Sequence, residues 1–158
     1  MKYSLPFKDN IIRVQAPAHK AERSLKFCID FLLPEGTPIV AARSGTLVAC
    51  QDKYKRSYKS SKFAGRRNFV VIRHSNGENS VYVHLKHHSI KAKKGQKVKR
   101  GQVIALSGQV GFATYPHLHF GVYHGEYLKG GVSVKIVFDK KIGPERPLYL
   151  AEALGKYL

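Results

Sequence analysis

Between Lys26 and His124 the chain is cut into short apolar stretches that alternate with period two, and most of them end at glycine or proline. Alternation sends successive side chains to opposite faces of an extended strand, whereas an amphipathic helix needs a period near 3.6. In Lys26-Phe27-Cys28-Ile29-Asp30-Phe31, Phe27, Ile29 and Phe31 share one face, and Cys28 and Asp30 share the other. Pro34-Glu35-Gly36 reads as a turn. Thr37–Ala42 and Thr46–Cys50 flank Arg43-Ser44-Gly45, a short hairpin signal. Asn68–His74 and Ser80–Lys86 flank Ser75-Asn76-Gly77-Glu78, whose Asn-Gly marks a second hairpin. Along that second strand Val81, Val83 and Leu85 face one way, and Tyr82 and His84 the other. Two near-repeats, Lys94-Gly95-Gln96-Lys97-Val98 and Arg100-Gly101-Gln102-Val103-Ile104, use Gly-Gln turns to introduce strands. One more strand is expected over Val132–Phe138. The pattern predicts a single, mainly antiparallel β domain.

The chain has 158 residues, enough to bury a core without disulfide or metal staples. Residues 1–24 read as an irregular segment, 25–140 as the folded domain, and 141–158 as an extension. Within that extension Leu148, Ala151 and Leu154, following Pro147, have helical spacing. Two cysteines, Cys28 and Cys50, are too few for a disulfide scaffold; they would pair only if their strands were neighbours. No apolar run reaches the ~18 residues of a membrane span. Met1–Pro6 carries no apolar leader core, so any location must be inferred from the substrate.

Charge narrows the partners. Lys and Arg number 28 against 10 Asp and Glu, a formal net charge of +18. Half of these cations lie in two tracts without an acid, Lys53–Arg67 and Lys86–Arg100, the first interleaved with Tyr54, Tyr58 and Phe63. Such a field favours a polyanion: nucleic acid, an anionic membrane surface, or the anionic polymers of a bacterial wall.

The chemistry points to Pro116-His117-Leu118-His119-Phe120. His-x-His on a strand aims two imidazoles at one volume, while Leu118 and Phe120 face a core. Asp30 and His84 stand, like that pair, opposite the apolar residues of their own strands. A catalytic zinc site asks for three N or O ligands, an open position for water, and proton-transfer groups beside it.

Taken together, these segments resemble the lysostaphin/LytM-type zinc endopeptidases. Phe27–Phe31 with Pro34-Glu35-Gly36-Thr37-Pro38-Ile39 and Arg43–Val48 is similar to that family's first metal segment. His74-Ser75-Asn76-Gly77 with Tyr82-Val83-His84-Leu85 is similar to its second block. Gly95–Gly108 with Gly111 and Pro116–Phe120 is similar to its third. The resemblance runs from about residue 19 to 123. It implies a lysostaphin-like, duplicated-hybrid-motif β fold with an active-site groove, and one zinc per chain held by His19, Asp30 and His119. His84 and His117 would be catalytic, with Asn68 and Tyr82 lining the groove. The implied activity is hydrolysis of peptide bonds in the cross-links or stems of bacterial peptidoglycan, at a periplasmic or extracellular location. Two rivals are a non-catalytic, wall-binding relative of the same fold and a basic nucleic-acid-binding β protein. The first conflicts with the intact set of Asp30, His84, His117 and His119, and the second leaves the histidines unexplained.

Overall fold

The computed structural model describes residues 2–8, 14–15 and 23–139. His19 and the expected C-terminal helix lie outside the described residues. In chain order the strands are β1 (Val14–Gln15), β2 (Ile29–Phe31), β3 (Pro38–Val40), β4 (Gly45–Gln51), β5 (Ser57–Tyr58) and β6 (Phe69–Arg73). They continue as β7 (Asn79–Val83), β8 (Lys97–Val98), β9 (Val103–Leu106), β10 (Gly111–Phe112), β11 (Leu118–His124) and β12 (Val132–Ser133). The main sheet runs β1-β2-β11-β7-β6-β4-β8, with β12 beside β11. Every pairing in it is antiparallel. The mainly antiparallel β architecture is therefore the one expected.

Each face of this sheet follows from strand alternation. Phe31, Val70, Ile72, Tyr82, Leu118, Phe120 and Val122 turn to the main core. Cys28, Phe69, Val71, Val81, Val83 and Tyr123 gather on the opposite face. His119 pairs with Asp30 on one side and Val83 on the other, so it belongs to this second face. The β6–β7 hairpin forms across Ser75–Glu78 as expected, with Gly77 at φ +82° in its turn.

Three expectations are corrected. The segments flanking Arg43-Ser44-Gly45 do not form a hairpin: β3 pairs with β9, and β4 with β6 and β8. A Cβ on Gly45 would lie 2.3 Å from the Arg73 carbonyl oxygen, so this glycine lets β4 close onto β6 instead. The two Gly-Gln turns then dock alike. Gly95 and Gln96 bond the backbone of Leu47, and Gly101 and Gln102 bond that of Ala41. Secondly, the described part of the N-terminal segment, although without strand or helix over residues 2–8, packs against the domain. Tyr3 and Phe7 lie in the core, bridging to Phe138 and Ile39, and β1 adds to β2. Alternation could not reveal two isolated aromatics docked by long-range contacts. Thirdly, Val132–Phe138 is strand only over β12, and Phe27, in a turn ahead of β2, is 39% exposed rather than facing the core.

The basic segment after β4 is ordered by long-range pairing. Its β5 lies parallel to β10, so it stands beside the loop that leads into His-x-His. The Tyr58 and Phe63 rings stack at 4.2 Å, and the Arg66 guanidinium lies over both.

Candidate active site

β11 fixes half of the site. Leu118 and Phe120 are anchored in the core, so His117 and His119 emerge on the other face. Across the β2 pairing, His119 Nδ1 lies 2.8 Å from Asp30 Oδ1. Both residues are buried, at 6% and 5% exposure. Burial acts to lower the pKa of His119, but the hydrogen bond and charge of Asp30, with help from Cys28, raise it to about 10. This pair is thus built around a positive charge, supplied by a proton or by a metal that displaces it.

His84 arrives by a different route. Strict alternation would turn it to the core with Tyr82, but its φ of +65° breaks the strand after Val83. The ring swings to the face of His119 while Leu85 drops into the main core, on Tyr82's side and not on the side of Val81 and Val83. Left-handed backbone costs a non-glycine residue roughly 1–2 kcal/mol, so neighbours must hold it. Asn68 Nδ2 donates to the Leu85 carbonyl at 3.1 Å, and Lys86 N–H to that of Leu106 at 2.9 Å. Gly108 lies against this turn; a Cβ there would stand 2.8 Å from Lys86 N and 3.0 Å from the His84 carbonyl oxygen. That close approach delivers the Val110 carbonyl to His84 Nδ1 at 2.8 Å.

The His84 and His117 ring centroids are 4.5 Å apart, and those of His84 and His119 are 6.3 Å apart. His117 Nδ1 meets the Tyr115 carbonyl at 2.9 Å. A carbonyl only accepts, so each Nδ1 carries a proton, and in the neutral form of either ring the lone pair is on Nε2. Burial, then the neighbouring His117, push the His84 pKa well below 6.5 against the pull of the Val110 carbonyl. His84 is therefore neutral at pH 7. Beside it opens a cavity of about 350 Å³, with His84, His119, Arg67, Phe112 and Tyr127 in its lining.

The model of Peptidase family M23 matches residues 25–133. The chain belongs to peptidase family M23. It is 43% identical over 91 residues to the peptidoglycan DD-endopeptidase ShyA of Vibrio cholerae, covering 58% of this chain and 18% of that protein. It is 39% identical over 92 residues to an uncharacterized metalloprotease of Haemophilus influenzae, covering 58% of this chain and 17% of that one. The chain thus spans about a fifth of the length of the curated relatives it matches. Among solved structures, a zinc containing peptidase from Vibrio cholerae aligns with TM-score 0.57 at 32% identity, over 77% of this chain and 36% of that one. The catalytic domain of lysostaphin from Staphylococcus simulans aligns with TM-score 0.53 at 25% identity, over 84% and 85%.

In this M23 domain Asp30, His84, His117 and His119 come together, and two other expected residues do not join them. Tyr82 is fully buried in the core, its hydroxyl accepting the Ala42 N–H at 2.8 Å and lying 3.1 Å from Ser80 Oγ. Asn68 is equally buried. Its Oδ1 accepts the Tyr54 N–H at 3.1 Å, and its Nδ2 donates to the Tyr54 and Leu85 carbonyls. Neither lines the groove: alternation sends Tyr82 to the core, and Asn68 ties the basic segment to the His84 turn. His74 is structural, bonded to the Ser44 carbonyl and Ser80 Oγ. Cys28 and Cys50 are both free thiols. The carbonyls of Val110 and Tyr115 escaped sequence reading, since a backbone acceptor has no residue signature. The Gly-containing loop Gln109–Tyr115 before His-x-His was their only trace.

An imidazole and a carboxylate facing each other are a donor set suited to zinc. Among the described residues no three His, Cys, Asp or Glu are grouped closely enough to hold a metal, and His19 falls outside them.

Proposed function

We propose that this chain is a zinc-dependent endopeptidase that hydrolyses peptide bonds in bacterial peptidoglycan. The observation that carries the reading is the Nδ1-protonated His84–His117 pair beside the Asp30–His119 pair, one member of each, His84 and His119, lining a single cavity. The names of the V. cholerae relatives, peptidoglycan DD-endopeptidases, supply the substrate class. Asp30 and His119, with His19 as third ligand, would hold the metal. When bound it supplies a Lewis acid for water and for the scissile carbonyl.

The chain's own residues divide the proton work. His117 Nε2 orients the attacking water and takes its proton, while Tyr115 fixes the tautomer. His84, neutral at rest, takes up that proton at Nε2 from its neighbour His117, and as the imidazolium stabilises the charge that develops or passes the proton on to the leaving amine. The two basic tracts would hold the enzyme on anionic wall polymers. All seven cations of Lys86–Arg100 and six of the seven in Lys53–Arg67 are exposed, Arg67 being half-buried. A wall substrate implies a periplasmic or extracellular site of action. No described helix is long and apolar enough to cross a membrane.

The test is zinc content and cleavage of a cross-linked muropeptide by three variants. His119→Ala should emerge zinc-poor and inactive. His84→Ala and His117→Ala should keep zinc and lose roughly 10²- to 10⁴-fold in turnover. Loss of zinc from His117→Ala equal to that from His119→Ala would overturn the division of roles. Unchanged cleavage in all three would overturn the site.

A further inference from the structure

Cys28 and Tyr123 have no part in the chemistry above, yet they sit against it. With His119 opposite Asp30 in the β2–β11 pairing, continuing the register sets Cys28 opposite Gly121 and diagonal to His119 on the site face. Cys28 Sγ lies 3.0 Å from Tyr123 Oη, and both residues are buried. Gly121 makes the room. A Cβ there would stand 2.6 Å from Cys28 Sγ and 2.7 Å from Tyr123 Cε2, so the thiol and the ring meet across a strand bare of side chain. Cys28 also stands close enough to His119 to act, with Asp30, in raising its pKa against the effect of burial. Two bonded pairs, Tyr123 with Cys28 and His119 with Asp30, thus lie side by side on one face of the sheet.

We infer that Cys28, held by Tyr123, is a positioning residue that orients the imidazole of His119 for metal binding. The inference rests on the reading of Asp30 and His119 as metal ligands. A ligating histidine is aimed by the group bonded to its ring, and losing that group typically costs 10- to 100-fold in metal affinity. A purely space-filling cysteine would show no such dependence. Alanine would then cost packing alone, and serine would have no advantage over alanine.

Zinc affinity, measured by competition with a chromogenic chelator, separates these roles in wild type, Cys28→Ser, Cys28→Ala and Tyr123→Phe. Cys28→Ala should bind zinc about 10- to 100-fold more weakly, while Cys28→Ser, whose hydroxyl can still bond, should stay within about threefold. Tyr123→Phe should weaken binding by a smaller factor, and it carries the test if Cys28→Ala does not fold. The cobalt-substituted wild type should lack a thiolate-to-cobalt charge-transfer band. Wild-type affinity in Cys28→Ala, or equal losses in the serine and alanine variants, overturns the inference alone. A thiolate band overturns it by making Cys28 a ligand. A wild type that binds no zinc overturns it together with the proposed function.

Discussion

Replacing Tyr82 by Phe removes one oxygen and keeps the ring, which packs 5.2 Å from Phe120. That oxygen accepts the Ala42 N–H at 2.8 Å and stands 3.1 Å from Ser80 Oγ, with Ala42, Ser80 and Tyr82 all fully buried. Ser80 keeps His74 Nε2 at 2.9 Å as a partner, so its loss is small. The Ala42 N–H has no such fallback, and a buried donor left unpaired costs about 1–3 kcal/mol. For a chain of 158 residues, 1 kcal/mol corresponds to roughly 2–4 °C in Tm. The midpoint should therefore fall by about 6 °C, within a range of roughly 2 to 12 °C. The assay is thermal unfolding followed by circular dichroism, with chelator and with zinc; the drop should be similar in both. Muropeptide cleavage at 25 °C should stay within about twofold, because the hydroxyl faces the core and not the cavity. A Tm within about 1 °C of wild type would refute the hydrogen-bond reasoning. A tenfold loss of kcat/KM at unchanged Tm would restore Tyr82 to the groove.

Two further outcomes follow from charge. Binding to intact sacculi should fall steeply between 0.1 and 1 M salt, as the Debye length shrinks from ~10 to ~3 Å, while cleavage of a small soluble peptide changes little. A parallel decline would place the basic tracts in the active site, and tight nucleic-acid binding without cleavage would favour the rival reading. Burial pulls the His74 pKa below 6.5, offset only in part by the Ser44 carbonyl. As pH falls through about 6.5 the unfolded chain takes up a proton that folded His74 refuses, so stability present above that pH is lost toward the folded pKa. Denaturant unfolding at pH 7.5, 6 and 5 should show a shallower decline for His74→Gln than for wild type; equal slopes would refute it.

The sequence alone determined what depends on neighbours along the chain. Alternation in Ile29-Asp30-Phe31 and Leu118-His119-Phe120 set Asp30 and His119 opposite their core-facing neighbours, and the β2–β11 pairing put them side by side. Asn76-Gly77 fixed the β6–β7 hairpin, because glycine alone adopts its φ of +82° without strain. Alternation also marked Tyr82 as opposite in parity to Val81 and Val83, yet not that its face is the core. The tertiary structure decided whatever required a distant partner. β3 chose β9 over β4, β5 found β10 in parallel, and Tyr3 and Phe7 entered the core. The sharpest case is His84. By parity it belongs with Tyr82 in the core; a left-handed backbone, held through Asn68, Gly108 and Val110, carries it to the site instead. Local pattern encodes which face a residue would occupy on an unbroken strand. Only the distant contacts that offset roughly 1–2 kcal/mol of backbone strain decide where the strand breaks.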